Sequence, residues 1–187
     1  MTRETILERA PLETPIGTLV ALVAPVASGQ GRGLRAFFFE DQEPALAARL
    51  ASRIGPFQTR PSKPGRLLEP VRRYLDGDLD ALDRVELVLD GTPFQLSVWQ
   101  ELRRIPAGST ISYTDLACRV GRPEAHRAVA AANGANPVAV VVPGHRVVSK
   151  EGLLWGYGGG LARKAWLLRH EGVRVDGDGE RAAVSRP

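Results

Sequence analysis

The stretch "AVVVPGHRVV" (139–148) joins an apolar run to two side chains that could do chemistry, His145 and Arg146. Histidine changes its charge near neutral pH and is the residue that most often serves as a general base. The residue directly before it is Gly144, which offers no side chain where a reactive group would be expected. The apolar residues that precede the motif predict a buried strand that delivers these groups.

Two further residues could complete a site around His145. Tyr157 carries a hydroxyl, and Glu171 carries a carboxylate that could fix the tautomer of the imidazole. Nothing in the sequence spacing shows that Glu171 reaches His145. The residues alone therefore leave two interpretations open: a site for proton transfer, or polar side chains at a strand end that bond to nearby backbone.

The composition limits what such a site could be. The chain has 187 residues, with the hydrophobic and charged fractions of an ordinary globular protein. Its one cysteine, Cys118, excludes an internal disulfide and a multi-cysteine zinc site. No stretch approaches the roughly 20 apolar residues of a membrane span, and the first residues lack an apolar signal core. We therefore expect a cytoplasmic protein that uses no metal, no other cofactor and no membrane.

Positive charge is concentrated in the second half of the chain. Residues 92–171 carry 10 basic and five acidic side chains, whereas residues 1–91 carry 12 basic and 13 acidic ones. A basic half of this kind is typical of a module that faces nucleic acid. A surface that is positive without any such function would give the same count, so charge alone leaves both interpretations open.

The first half reads as an α/β domain. Stretches of apolar residues, some alternating with polar ones, predict strands. The segment from Pro44 to Gly55 predicts a helix, because Leu46, Leu50 and Ile54 would lie on one face. The predicted strands cover residues 17–25, 34–40 and 84–91, and the predicted helices cover residues 43–55 and 66–77.

The second half reads as mainly helical. Thr92, Pro93 and Gln95 form a capping-box pattern that opens a helix with Phe94, Val98, Leu102 and Ile105 on one face, and Trp99 beside them. Two short helices follow around a turn at Gly121, one at about 113–120 and one from Pro123 to about Ala132. This pattern predicts a helix-turn-helix, although ordinary helical hairpins share it. A last amphipathic helix ends at Gly172.

Taken together, residues 92–172 resemble the O6-alkylguanine-DNA alkyltransferase family along its whole C-terminal domain. The likeness runs from "TPFQLSVWQELRRIPAGSTISYTDLA" through "NPVAVVVPGHRVV" and "GYGGG" to "WLLRHEG", in one order. Residues 1–90 resemble the less constrained N-terminal domain of that family. The resemblance implies a ribonuclease H-like α/β domain followed by a mainly α domain with a winged helix-turn-helix, and residues 173–187 are predicted to be a flexible tail.

The resemblance also implies roles for individual residues. In that family a helix-turn-helix enters the minor groove, a guanine is flipped out of the stack, and a cysteine accepts its alkyl group once per protein molecule. By position in the motifs, Tyr113 presses on the phosphate, Arg127 fills the vacated stack and Asn136 braces the active-site turn. His145 is the base that acts through a water, Glu171 orients it, and Tyr157 donates a proton to the departing guanine. Arg146, Ala128 and Gly158 complete the predicted DNA-binding set.

Gly144 is the departure from the family pattern, because it stands where the nucleophilic cysteine belongs. Glycine supplies no thiolate, and Cys118 is predicted to be a small buried residue that packs within the first helix of the helix-turn-helix. Activation of a water by His145 is a remote alternative. Alkyltransferase-like proteins also lack the cysteine, so the resemblance implies lesion binding without transfer, with nucleotide excision repair proteins as further partners.

Two alternatives remain beside that interpretation. The chain could be a suicide alkyltransferase whose cysteine was substituted, in an engineered or variant form, or a DNA-binding module that no longer selects lesions. The expected partner is double-stranded DNA that contains O6-alkylguanine, bound by a monomer. A glycine at 144 is also expected to widen the pocket floor for bulkier adducts, and Trp155 either occupies that room or packs on the surface.

Overall fold

The computed structural model describes residues 5–26, 31–63, 65–177 and 179–184. The chain divides into two compact units. The first comprises residues 1–91 together with Pro137–Ala139, and the second comprises Thr92–Asn136 and Val140–Pro187. The division falls where the predicted capping box begins. The predicted loop before Gly31 includes residues 27–30, which lie outside the described residues.

The first unit is built on a four-stranded sheet in the order β3-β2-β1-β4. β1 pairs antiparallel with β2 and parallel with β4, and β2 pairs antiparallel with β3. The strands are β1 (Thr5–Leu12), β2 (Leu19–Pro25), β3 (Arg32–Phe39) and β4 (Phe57–Pro61), with helices α1 (Glu43–Ile54) and α2 (Glu69–Leu75).

A continuous apolar face forms the core of the first unit. Leu46, Leu50 and Ile54 of α1 pack against buried side chains of β1, β2 and β3, as their helical spacing predicts. Helix α2 is shorter than the predicted helix over 66–77, because residues Gly65–Leu68 form a 3₁₀ turn before Glu69. Pro70 therefore lies in the first turn of α2, where a missing N–H costs nothing.

The predicted strand over 84–91 is wrong. Only Leu87 bridges β3, at Leu34, and two hydrogen bonds join Leu34 to Glu86 and Val88. Further along, the same edge of β3 bonds to another segment, since Phe37 exchanges hydrogen bonds with Pro137 and Ala139. The edge of β3 is thus shared between two short segments, and neither is long enough to form a regular strand.

The second unit is mainly helical. Its helices are α3 (Pro93–Arg103), α4 (Tyr113–Arg119), α5 (His126–Gly134) and α6 (Leu161–His170), and its short strands are β5 (Ile111–Ser112), β6 (Val147–Val148), β7 (Val175–Asp176) and β8 (Ala183–Val184). The predicted capping box is present, because Thr92 and Gln95 each accept from the other's backbone N–H. Helix α3 contacts both α4 and α5, and Trp99 Nε1 donates to Ala132 O over 2.8 Å.

Two predicted boundaries in this unit change. Helix α5 begins at His126 and runs through Gly134, so Pro123 lies before the helix, in the turn that follows Gly121. The segment predicted to be a flexible tail contains regular structure over its described residues. Val173, Val175 and Ala182 are buried against α6, and β7 pairs with β8, because these apolar side chains complete a small core with Leu168. Residues 178 and 185–187 of the predicted tail lie outside the described residues.

Candidate lesion-binding site

Glu171 lies at the end of α6 and reaches the imidazole of His145. His145 Nε2 and Glu171 Oε1 are 2.9 Å apart, and both side chains are fully buried. The backbone places the two groups, since His145 sits in a 3₁₀ turn (Gly144–Arg146) that packs against α6. The structure thus brings together two predicted residues that lie 26 positions apart in the sequence.

Arg146 completes this cluster from the other side. Its guanidinium donates three hydrogen bonds to the Glu171 carboxylate at 2.8 to 3.2 Å and one to Ile105 O at 2.5 Å. The residue is 6% exposed. The prediction that Arg146 binds DNA is therefore wrong, because its donors are used inside the unit, where they neutralise a buried carboxylate.

The charges of this cluster are set by its burial and its pairing. Burial alone would raise the pKa of Glu171, but hydrogen bonds from His145 and Arg146 and the charge of Arg146 hold it well below its ordinary value. Burial lowers the pKa of His145, against the opposing effect of Glu171. At neutral pH the carboxylate is therefore ionised and the imidazole neutral. Nε2–H donates to Glu171, and Nδ1 carries a free lone pair.

The apolar run before Gly144 is a turn, not the predicted strand. Residues 139–142 form no regular strand, and Val140 has a φ of 69°, which is unusual for a β-branched residue. Asn136 Nδ2 donates to Val142 O over 2.8 Å and so ties the two ends of this turn. Strained backbone of this kind persists only where the surroundings hold it, and it often occurs at functional sites.

The space beside Gly144 is filled by the amide of Asn133. A Cβ built on Gly144 would overlap Asn133 Oδ1, while Asn133 Nδ2 donates to Gly144 O over 3.4 Å. The expectation that glycine widens the pocket floor is therefore wrong. Trp155 does not fill this space either, since its side chain is largely exposed (69%). Asn133 belongs to α5 and is itself buried.

A cleft of roughly 710 Å³ lies between α4, α5 and the segment 149–158. Of the predicted residues, Tyr113, Arg127, Tyr157 and Gly158 line it, while Ala128 is exposed on the same helix as Arg127. The other lining residues are His126, Ala130, Gly134, Ser149, Trp155 and Gly156. The walls therefore combine aromatic rings, glycine backbone and two basic side chains from α5, a combination suited to a base and its phosphate.

Two tyrosines connect the cleft to the buried cluster. The Tyr157 ring meets the His145 ring edge-on at 6.3 Å between centroids. Tyr113 OH donates weakly to the backbone oxygens of Trp155 and Gly156, at 3.4 and 3.3 Å. Burial raises the pKa of both phenols, so each keeps its proton at neutral pH.

Three buried polar atoms at this site have no hydrogen-bond partner among the described residues: Asn133 Oδ1, His145 Nδ1 and Tyr157 OH. Native proteins leave few such atoms unpaired, because each costs about 1–3 kcal/mol. They lie where the family resemblance places the reacting group.

Sequence reasoning missed Lys164, which is fully buried in α6. Its Nζ donates to Val147 O and Trp155 O over 2.6 and 2.7 Å, and burial lowers its pKa to about 7. It therefore fixes the peptide of Trp155 at the cleft wall. The signal was present in the sequence, because Lys164 falls between Leu161 and Leu168 at the spacing of the buried helix face.

Asn133 was also missed, because its position just after the predicted end of a helix gives no sign of a role in the site. Cys118 was misjudged, because it is exposed on α4 and does not pack. The described residues contain no group of three or more histidine, cysteine or acidic side chains that could hold a metal. Within the same residues, no helix is both long and apolar enough to cross a membrane.

Comparison with known proteins defines the class. A family model described as "6-O-methylguanine DNA methyltransferase, DNA binding domain" matches residues 93–173. The solved O6-methylguanine methyltransferase of Mycobacterium tuberculosis superposes with a TM-score of 0.70 at 36% identity, over 88% of this chain and 92% of that one. The Mycobacterium tuberculosis protein solved in complex with DNA superposes with a TM-score of 0.70 at 38% identity. The superposition covers 88% of this chain and 92% of that one. The mixed α/β architecture is thus that of DNA alkyltransferases.

Sequence comparison gives the family. The chain is 53% identical to the methylated-DNA–protein-cysteine methyltransferase of Salmonella typhimurium over 111 residues. This match covers 59% of this chain and 65% of the Salmonella protein. The chain is 48% identical to the Mycobacterium tuberculosis relative, over 59% of this chain and 67% of that protein. The match thus spans slightly less than two thirds of the Salmonella protein. The chain belongs to the methylated-DNA–protein-cysteine methyltransferase family.

Proposed function

We propose that this protein binds O6-alkylguanine in duplex DNA without accepting the alkyl group. One observation carries the proposal: the buried His145–Glu171 pair ends in an unpartnered Nδ1 beside a residue that has no side chain. In a transferase a thiolate must attack the alkyl carbon. Gly144 cannot attack it, and the exposed Cys118 lies on a different element.

The cleft supports binding through a flipped base. Arg127 and His126 are exposed at the start of α5, the second helix of the predicted helix-turn-helix, and Tyr113 begins α4, the first. A base must leave the stack before its O6 substituent can be read, and an inserted side chain compensates for part of the lost stacking. We assign that insertion to Arg127 and the contact with the displaced phosphate to Tyr113.

Repair of the bound lesion then falls to other proteins, and the resemblance to alkyltransferase-like proteins favours the nucleotide excision machinery. Affinity for plain DNA should depend mainly on phosphate contacts and fall steeply with salt, because bound counterions are released. Preference for the lesion should depend on the cleft and persist as salt rises.

Restoring the nucleophile tests whether the rest of the transfer site is intact, and so separates lesion recognition or a transferase with a substituted cysteine from a DNA-binding module without lesion selectivity. The Gly144→Cys variant is expected to remove the methyl group from O6-methylguanine DNA once per molecule, because the histidine, carboxylate and cleft are in place. The new Cβ meets only the end of the Asn133 side chain, which must shift to admit it. Mass spectrometry of the protein after incubation gives the result. A Gly144→Ser variant controls for the added side chain, since its hydroxyl is a far weaker nucleophile.

The outcomes separate the readings. Transfer by Gly144→Cys, together with lesion preference but no transfer in the unsubstituted protein, supports lesion recognition by an otherwise intact transfer site, whether its cysteine was lost naturally or replaced. Transfer by the unsubstituted protein would mean that it is a working enzyme. Absence of both lesion preference and restored transfer would mean that the protein is a DNA-binding module without lesion selectivity.

A further inference from the structure

We propose that Asn133 makes this protein selective for O6 adducts whose substituent carries a hydrogen-bond donor, such as a hydroxyalkyl group. The inference rests on the proposed function, because it takes the O6 substituent of the flipped guanine to lie over Gly144. The observation behind it is that Asn133 Oδ1 occupies the position that a side chain at residue 144 would take.

Two contacts bear on the orientation of the Asn133 amide, one with Gly144 O and one with the side chain of Tyr113. Nδ2 donates to Gly144 O over 3.4 Å, so Oδ1 is the atom directed into the space above Gly144. The residue is 7% exposed, and its Oδ1 has no partner among the residues that the structure describes. An amide oxygen only accepts hydrogen bonds. Where relatives with cysteine present a sulfur, this chain therefore presents a desolvated acceptor.

His145 adds a second acceptor next to the first. Its Nε2 is engaged by the ionised Glu171, which leaves the lone pair of Nδ1 unpartnered. An ordinary alkyl substituent brings only C–H groups, and in the bound state it leaves both acceptors without water and without a donor. A hydroxyl at the end of the substituent can donate to Asn133 Oδ1 or to His145 Nδ1.

Sites with buried polar groups discriminate strongly against ligands that leave those groups unpaired. Two adducts of equal size test for this discrimination: O6-(2-hydroxyethyl)guanine and O6-propylguanine differ only in that a terminal hydroxyl replaces a methyl. We expect the protein to bind a duplex with the hydroxyethyl adduct about tenfold more tightly than one with the propyl adduct, the effect of one hydrogen bond to a buried acceptor.

The experiment is a fluorescence-anisotropy competition with four duplexes that are identical except for one position, which carries guanine, O6-methylguanine, the propyl adduct or the hydroxyethyl adduct. It is run on the unsubstituted protein and on Asn133→Leu and Asn133→Ala. Leucine keeps the volume of the side chain and removes the acceptor, while alanine removes both. Unchanged affinity for the plain duplex shows that a variant is folded, and either folded variant is sufficient.

Loss of the hydroxyethyl preference in the leucine or alanine variant, with the methyl lesion still preferred over guanine, supports the proposal. Equal binding of the two adducts by the unsubstituted protein overturns it, as does a preference that survives both substitutions. If the unsubstituted protein prefers O6-methylguanine over guanine but not hydroxyethyl over propyl, only this inference fails. If no lesion is preferred over guanine, the proposed function fails and the selectivity with it.

Discussion

Glu8 in the first unit and Glu171 in the second are both buried carboxylates paired with arginine, but their partners differ in exposure. Glu8 accepts from Arg32, Arg60 and Ser62, and the side chains of the two arginines are 56% and 63% exposed. The side-chain partners of Glu171, His145 and Arg146, are buried. The carboxylate of Glu8 is fully hydrogen-bonded, and its arginine partners reach solvent. The Glu171 cluster instead includes His145, whose Nδ1 has no hydrogen-bond partner among the described residues.

We infer that the Glu8 cluster only stabilises its unit, whereas the Glu171 cluster also orients the imidazole of His145 at the candidate site. Water can solvate the arginines around Glu8 when a partner is lost, so that pairing contributes little to stability. Around Glu171 water has no access, and the loss of one partner leaves a buried charge uncompensated. A matched pair of substitutions measures the contrast directly.

The largest expected effect is on stability. Glu171→Gln should lower the free energy of unfolding at pH 7 by about 3–5 kcal/mol, because it leaves the Arg146 guanidinium buried without a counter-charge. Glu8→Gln should lower it by about 1 kcal/mol or less, because its arginines reach solvent. Chemical denaturation of the two variants compares them. Similar losses for both would mean that the two clusters do not differ as described.

The Glu171→Gln variant should also respond to acid differently from the unsubstituted protein. The pKa of Glu171 lies below its ordinary value of 4.5 in the folded protein, so its pairing stabilises the fold fully above that pH. This stabilisation is lost as the pH falls below 4.5 towards the folded-state pKa. Thermal unfolding from pH 7 to pH 3 should therefore show a smaller loss of stability for Glu171→Gln than for the unsubstituted protein. Parallel curves would contradict the depressed pKa.

The next effect is on binding at the cleft. Arg127→Ala should weaken affinity for O6-methylguanine DNA by about the few kcal/mol that unstacking a base costs, and it should weaken affinity for plain DNA far less. Arg174→Ala removes the same charge from an exposed side chain in the C-terminal segment and serves as the control. An Arg127 variant that lost no more lesion affinity than the control would disprove the insertion.

Lys164 should have a smaller effect, through the cleft wall. Lys164→Met keeps an unbranched side chain in the core but removes the Nζ hydrogen bonds to Val147 O and Trp155 O. We expect the free energy of unfolding to fall by about 1–3 kcal/mol and lesion affinity to fall with it. Lys150→Met, at an exposed position, should change stability by about 0.5 kcal/mol or less. Equal stability of the two variants would argue against a bracing role for Lys164.

The smallest expected change in stability is at Tyr157. Its hydroxyl is buried with no partner among the described residues, so Tyr157→Phe should leave stability unchanged or raise it by up to about 1 kcal/mol. The same variant should bind O6-methylguanine DNA less tightly, because we expect the Tyr157 hydroxyl to hydrogen-bond to the bound guanine. A clear loss of stability with full lesion affinity would instead assign this hydroxyl to the fold.

These predictions depend on features that the sequence shows to different degrees. The capping box at Thr92 and the apolar face of α1 follow from local spacing, and both are present. The turn at residues 139–142 could not be predicted, because four apolar residues in a row look like a strand and nothing local indicates the positive φ of Val140. Tertiary bonding, here from Asn136, decides its conformation.

Some features of the candidate site could likewise be predicted from the sequence, and others could not. Resemblance to a family indicated His145 and Glu171, but the burial of Arg146 and the place of the Asn133 amide depend on contacts across 25 and 11 residues of sequence. Spacing along the chain carries no record of such contacts. Lys164 was within reach of sequence reasoning, since a lysine on a buried helix face must find acceptors.

The most direct test of lesion recognition without transfer is a competition between two duplexes for the unsubstituted protein at moderate salt. One duplex carries a single O6-methylguanine and the other is otherwise identical, and the methyl group is located afterwards by mass spectrometry of DNA and protein. We predict that the lesion duplex is preferred and that the methyl group remains on the DNA. Equal binding of the two duplexes, or a methyl group found on the protein, would contradict this account.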